Sequence, residues 1–181
     1  MTTRKIIRLQ GHDYSRNGAY FVTICTKDRQ CLFWKDHDLI PVNASATDTT
    51  HGVGTAIGRP QGRIKLTEYG QFVKDALRQI NDHYPMVFVD KYVIMPNHIH
   101  VIIRIDTSGV FCIDGRPMAV PTISTVINQF KGKVSKMAGF HVWQGRFYDH
   151  IIRSEKEYRE ISGYIRRNPE KWTSDEYFVR K

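Results

Sequence analysis

His98 and His100 stand out in the sequence because they interrupt an almost wholly apolar run, Ile94-Met-Pro-Asn-His-Ile-His-Val-Ile-Ile103. Side chains alternate between the two faces of a strand, so both imidazoles would point to the same face. Two imidazoles on one rigid strand can occupy two cis positions of a divalent metal ion. The H-x-H pattern is weak by itself, because two nearby histidines are often simply exposed on a sheet.

Tyr164 and Asn168 form a second candidate group, four residues apart in Ile161-Ser-Gly-Tyr-Ile-Arg-Arg-Asn168. On a helix this spacing places both side chains on one face. A phenolic oxygen can attack phosphorus, and an amide oxygen beside it can be a third metal ligand. The alternative is structural, with Tyr164 at the edge of the core and Asn168 as a cap before Pro169. Tyr148 is a rival nucleophile, but it belongs to a strand and lacks a partnered amide.

The elements that must position these groups follow from apolar periodicity and turn residues. We predict first a strand over 18–26 and then a helix from Thr67 to before Pro85. A hairpin follows, with strands over 87–95 and 98–105 joined by Pro96-Asn97. The remaining elements are a helix between Pro121 and Gly139, a strand over 147–153, and a helix that begins at the capping box Ser154–Glu157 and ends at Pro169. The first six elements match the split βαβ, ferredoxin-like arrangement, an α+β fold with a four-stranded antiparallel sheet and helices on one face. The last helix is an addition that carries Tyr164.

The length of 181 residues predicts a single domain over 1–181. Within it, 12 of the 22 residues from 42 to 63 are Ala, Ser, Thr or Gly, without apolar periodicity. Such a composition cannot bury enough apolar surface to offset the entropy of ordering. We therefore expect a flexible surface insertion at about 42–63.

The net charge is +9, from 27 Lys and Arg against 18 Asp and Glu, and the last 53 residues contain 12 of the former against seven of the latter. This basic segment favours nucleic acid as a partner over a membrane. No apolar run approaches the roughly 18 residues of a membrane span, and three cysteines without C-x-x-C spacing fit a reducing cytoplasm.

The basic segment also supplies candidate DNA contacts. Its candidates for phosphate contacts are Lys131, Lys133, Lys136, Arg146 and Arg153. Trp143 and Gln144 could stack on or hydrogen-bond a base, although a buried tryptophan that anchors the sheet fits Trp143 equally well. Arg166 and Arg167 follow Tyr164 on the same predicted helix, where they could contact DNA and favour the phenolate.

Three blocks, in this order and spacing, carry a family resemblance: MPNHIHVIIRI, VWQGRFYDHIIRSEKEY and ISGYIRRNPEKW. They resemble the single-tyrosine HUH transposases, and most closely the branch of REP-associated tyrosine transposases. The segments HDYSRNGAYFVTICTKDRQCLF and LTEYG are also similar to that family. The likeness covers nearly the whole chain except 42–63 and parts of 106–120.

The resemblance implies an enzyme that cleaves and rejoins single-stranded DNA at hairpin-associated sites with Mg²⁺ or Mn²⁺. Tyr164 matches the tyrosine that forms a covalent 5′-phosphotyrosine link, and His98, His100 and Asn168 match the metal ligands. The implied partner is single-stranded or hairpin DNA, with no membrane and a possible homodimer, in the bacterial cytoplasm in association with the nucleoid. The alternative is a non-catalytic protein that binds hairpin DNA or structured RNA.

Overall fold

A computed structural model describes residues 17–35, 64–109, 112–113, 116–117 and 119–178. The insertion expected at 42–63 lies outside these residues. The described elements are strand β1 (Gly18–Cys25), helix α1 (Glu68–His83), strands β2 (Val87–Ile94), β3 (His98–Ile105), β4 (Cys112–Ile113) and β5 (Arg116–Pro117), helix α2 (Ile123–Ala138), strand β6 (Tyr148–Ile152), helix α3 (Glu155–Arg167), and 3₁₀ segments at Lys27–Arg29 and Asn168–Ser174.

The main sheet has the strand order β2-β3-β1-β6, and every neighbouring pair is antiparallel. With α1 and α2 as the crossovers, this is the ferredoxin-like arrangement, so the predicted α+β fold is confirmed. Strands β4 and β5 form a separate small hairpin that the sequence patterns did not predict. No helix within the described ranges has the length and apolar character needed to cross a bilayer.

The helix ends follow the local sequence. Thr67 and Thr122 cap α1 and α2 by accepting from the backbone N–H three residues on, and Gly139 ends α2 in the left-handed conformation at φ 78°. Ser154 caps α3 in the same way. The carboxylate of Glu157 accepts from the N–H of Arg153, one residue earlier than a reciprocal capping box requires.

The two faces of the sheet differ sharply because β3 alternates. Ile99, Val101 and Ile103 are fully buried in the core with residues of α1 and α2. His98 and His100 point to the opposite face, which α3 covers over β2 and β3. Helix α3 therefore brings its own residues to the histidine face.

Candidate active site

His98 and His100 lie side by side on β3, with their Nε2 atoms 3.1 Å apart. Two nitrogens that share one metal ion at about 2.1 Å each lie roughly 3.0 to 3.4 Å apart. Burial lowers the pKa of His98 to about 2 and that of His100 to about 3. Both rings are therefore neutral near pH 7, which is the form that binds metal ions.

Asn97 fixes the tautomer of His98. Its fully buried side-chain amide donates from Nδ2 to the backbone carbonyls of Tyr177 at 2.7 Å and Arg29 at 3.2 Å. Its Oδ1 therefore faces Nδ1 of His98, at 2.9 Å, and an amide oxygen can only accept. Nδ1 must carry the proton, so the Nε2 lone pair of His98 is directed into the site.

His100 is supported by β1. Thr23 lies opposite it in the sheet, and the Thr23 hydroxyl is 2.8 Å from Nδ1 of His100. The ring of Phe21 stacks on His100 at a centroid distance of 5.3 Å. Both contacts restrict the rotation of the imidazole, so Nε2 faces His98 and α3.

Tyr164 reaches the histidines from α3. Its hydroxyl is 3.2 Å from Nε2 of His100, although the residue is 41% exposed. Burial raises the pKa of Tyr164, the negative charge of Asp175 raises it further, and a hydrogen bond from Asn168 lowers it. The phenol is thus protonated at neutral pH before any ion or substrate binds.

Asn168 begins the 3₁₀ segment after α3 and is buried. Its side chain hydrogen-bonds to both Tyr164 and Asp175. Within the described residues, its Oδ1 has no hydrogen-bond partner. A buried amide oxygen without a partner costs about 1–3 kcal/mol, and coordination of a cation would remove that cost.

Asp175 is a candidate ligand that the sequence patterns missed. One carboxylate oxygen of Asp175 and one nitrogen from each of His98 and His100 all lie within 4.8 Å of one another. The 3₁₀ segment returns Asp175 to β3 from 75 residues away, so no local spacing could have revealed it. Two neutral imidazoles, a carboxylate and a buried amide oxygen fit a divalent cation.

A cavity of about 180 Å³ adjoins Tyr164, between the end of α3 and the 3₁₀ segment. Arg167 and Lys171 line it together with Asn168 and Asp175. The lining beside the phenol therefore carries two cationic side chains, and also the carboxylates of Asp175 and Glu176. Lys171 was not singled out from the sequence.

Two of the DNA contacts expected from the sequence are not placed for that role. Trp143 has no exposed surface and packs against Phe33 and Phe130 in the core, so it cannot stack on a base. Lys131 is buried, and its Nζ donates to the backbone carbonyls of Gln144 and Gly145 at 2.6 and 3.0 Å. These bonds tie α2 to the loop before β6.

The other expected DNA contacts divide between the two faces. Lys133 and Lys136 are exposed on α2, which packs on the face opposite Tyr164, and Lys133 donates to Gln79 of α1. Gln144 is partly exposed and its backbone N–H donates to Cys25. The four expected arginine contacts are all exposed near β6 and α3: Arg146, Arg153, Arg166 and Arg167.

Comparison with known proteins gives three relatives. A protein of uncharacterised function from Haemophilus influenzae is 34% identical over 191 residues, covering 97% of this chain and 93% of its own. A second H. influenzae protein, provisionally named a REP-associated tyrosine transposase, is 24% identical over 88% of this chain and 74% of its own. The REP-associated tyrosine transposase of Escherichia coli is 28% identical over 61% of this chain and 60% of its own. No protein-family model matches the chain.

A solved structure, that of a REP-associated tyrosine transposase bound to a REP hairpin, has a TM-score of 0.56 to this chain. The two are 20% identical, and the match covers 90% of this chain and 72% of the other. This likeness shows a common fold.

Proposed function

We propose that this chain, which belongs to the family of REP-associated tyrosine transposases, is a metal-dependent endonuclease and strand transferase of single-stranded DNA. It acts at hairpin-associated sites through a covalent 5′-phosphotyrosine intermediate on Tyr164. The chief support is the 3.2 Å contact between the Tyr164 hydroxyl and Nε2 of His100. This contact joins a nucleophile to a site suited to a metal ion.

The reaction conserves the energy of the phosphodiester bond. The phenolic oxygen of Tyr164 attacks phosphorus, a tyrosine O–P bond forms, and the bond from phosphorus to the 3′-oxygen breaks. The proton lost by the phenol is balanced by the one gained by the released 3′-hydroxyl. Attack by a 3′-hydroxyl on the phosphotyrosine reverses these steps, so strands can be rejoined without ATP.

His98, His100, Asn168 and Asp175 are the residues that would bind the ion. When bound, a divalent ion supplies electrostatic stabilisation of the charge that develops on the phosphate. Two imidazole ligands favour Mn²⁺ over Mg²⁺, which prefers an all-oxygen set, and the Asp175 carboxylate is compatible with either. Arg167 and Lys171 would neutralise further phosphate charge beside Tyr164.

Hairpin DNA is the partner that we propose. A family member of the same fold has been solved with a REP hairpin bound, and the exposed arginines of this chain suit a polyanion. Tyr164 and His100 meet within one chain. This supports a site that a single protomer can complete.

The test is incubation with labelled single-stranded hairpin oligonucleotides, with and without Mn²⁺, scored for an adduct that resists SDS. We expect adduct formation by the wild-type protein and none by Tyr164→Phe, with hairpin binding retained. Tyr158→Phe is the matched control, since Tyr158 lies on the same helix and outside the site. An adduct with Tyr164→Phe contradicts the proposal, and hairpin binding without any adduct in Mn²⁺ supports the non-catalytic alternative.

A further inference from the structure

Among the described residues, the part of the histidine face that lies on β6, beside the candidate active site, carries an exposed aromatic side chain, Tyr148. Helix α3 covers β2 and β3, whereas β1 and β6 form the remainder of that face. The register aligns His100, Thr23 and Tyr148 in one row across three strands. Neighbouring strands lie about 4.8 Å apart, so Tyr148 is roughly 10 Å across the sheet from His100.

Aromatic rings connect this surface to the nucleophile. The ring of Phe21 contacts that of His100, and its centroid lies 6.2 Å from Tyr164 and 6.5 Å from Tyr148. Tyr148 is 46% exposed on the edge strand β6. A large aromatic side chain thus presents its surface to solvent one ring beyond the groups that would hold the scissile phosphate.

The charge around Tyr148 suits a nucleic-acid strand. Arg146 and Arg153 are both exposed, and they flank β6 at its two ends. The nearby carboxylate of Glu157 is already engaged with Nε2 of His150 at 2.6 Å and with the N–H of Arg153. Arg146, two residues before Tyr148, thus places a cationic side chain close in sequence to the exposed ring, and a base that stacks on a ring beside a cation is a common arrangement for binding a single strand.

We propose that Tyr148, supported by Phe21, is a stacking site for an unpaired nucleobase next to the scissile phosphate. The site would bind the single-stranded flank of the substrate by its π-face, without reading its hydrogen-bonding edge. This inference rests on the proposed function, because the position of the scissile phosphate comes from Tyr164 and the histidines.

The experiment places 2-aminopurine at successive unpaired positions of single-stranded oligonucleotides, with and without a hairpin. Binding is measured in the Tyr164→Phe background so that no bond breaks. We expect strong quenching at one or two adjacent positions, and a loss of that quenching in Tyr148→Leu with a 5-fold to 100-fold weaker affinity for the unpaired flank. Tyr148→Phe keeps the ring and should restore both signals.

Phe140→Leu is the matched control, because Phe140 is 40% exposed and packs against Tyr69 of α1, on the other face of the sheet. Equal losses in Phe140→Leu and Tyr148→Leu, or quenching unaffected in Tyr148→Leu, would overturn the stacking site. A concentration-dependent self-association that Tyr148→Leu abolishes, without a change in quenching, would assign the surface to a protein contact instead.

The measured outcomes distinguish a wrong stacking site from a wrong cleavage activity. If Tyr148-dependent quenching occurs but no oligonucleotide yields an adduct with the wild-type protein, the stacking site stands and the cleavage function falls. If adducts require Tyr164 but not Tyr148, and quenching is unchanged in Tyr148→Leu, the cleavage function stands and the stacking site is rejected.

Discussion

The candidate active site has two halves that are built differently. His98 and His100 lie on β3, between β1 and β2, where both are buried and each Nδ1 has a fixed partner. Tyr164, Asn168 and Asp175 come from α3 and the segment that follows it, and Tyr164 is substantially exposed. The sheet register positions the strand half, whereas tertiary contacts position the C-terminal half, among them the hydrogen bond from Asn97 to the Tyr177 carbonyl.

Trp172 is the main anchor of the C-terminal half. It is fully buried, and its ring lies 6.4 Å from Trp34, 6.3 Å from His98 and 5.2 Å from Phe178. It lies between Asn168 and Asp175 in the chain. Substitutions in the strand half should therefore affect metal-dependent cleavage, whereas loss of Trp172 should affect stability.

Removal of a histidine from the strand half should have the largest effect on the rate of adduct formation. We expect His98→Ala to reduce the rate of metal-dependent adduct formation by on the order of 10³-fold, because the ion would lose a ligand on the rigid strand. Hairpin affinity without metal should stay unchanged. An adduct rate equal to that of the wild type in a buffer of defined Mn²⁺ concentration contradicts the metal assignment.

Removal of the Trp172 side chain from the C-terminal half should instead lower the stability of the fold. Trp172→Ala is expected to lower the free energy of unfolding by about 3–5 kcal/mol, because a large buried ring is replaced by a cavity. Urea denaturation measures this change, with exposed Lys171→Ala as the control. A loss below about 1 kcal/mol would show that Trp172 does not anchor the segment.

The substitution Asp175→Asn tests whether the C-terminal half contributes a metal ligand. Loss of the carboxylate charge should weaken Mn²⁺ affinity about 10- to 100-fold in calorimetric titration while leaving the fold unchanged. Glu176→Gln removes the same charge from the neighbouring exposed residue and should have little effect. Equal affinities of Asp175→Asn and the wild type would exclude Asp175 as a ligand.

Thr23→Val has the smallest expected effect, because it alters only the support of His100. Valine keeps the shape of threonine but removes the hydroxyl next to Nδ1, and we expect about 10-fold weaker Mn²⁺ binding. Thr23→Ser should retain most of the affinity. If Thr23→Val and Thr23→Ser bind Mn²⁺ equally, the hydroxyl does not orient the imidazole.

The strand half was largely predictable from the sequence. Alternation in β3 places both histidines on one face while Ile99 and Val101 enter the core, and this depends only on local periodicity. The positions of the helix caps were equally local. The tautomer of His98 was not predictable, because Asn97 reads locally as a turn residue while its amide is fixed by the distant carbonyls of Arg29 and Tyr177.

The C-terminal half was predictable only in part. The spacing of Tyr164 and Asn168 is a helical signal, but Asp175 joins the site through a fold-back that no periodicity encodes. The burial of Lys131 depends in the same way on carbonyls of a loop that follows α2. Composition identified the last 53 residues as basic without indicating which cations lie beside Tyr164.

The central claim is that Tyr164, and no other tyrosine, becomes covalently linked to DNA. Mass spectrometry of the tryptic digest of the adduct tests this directly, because trypsin separates the two candidates into the peptides 160–166 and 147–153. We predict the added mass of the 5′-phosphorylated oligonucleotide on the peptide 160–166, at Tyr164. The same mass on the peptide 147–153, at Tyr148, would contradict the assignment.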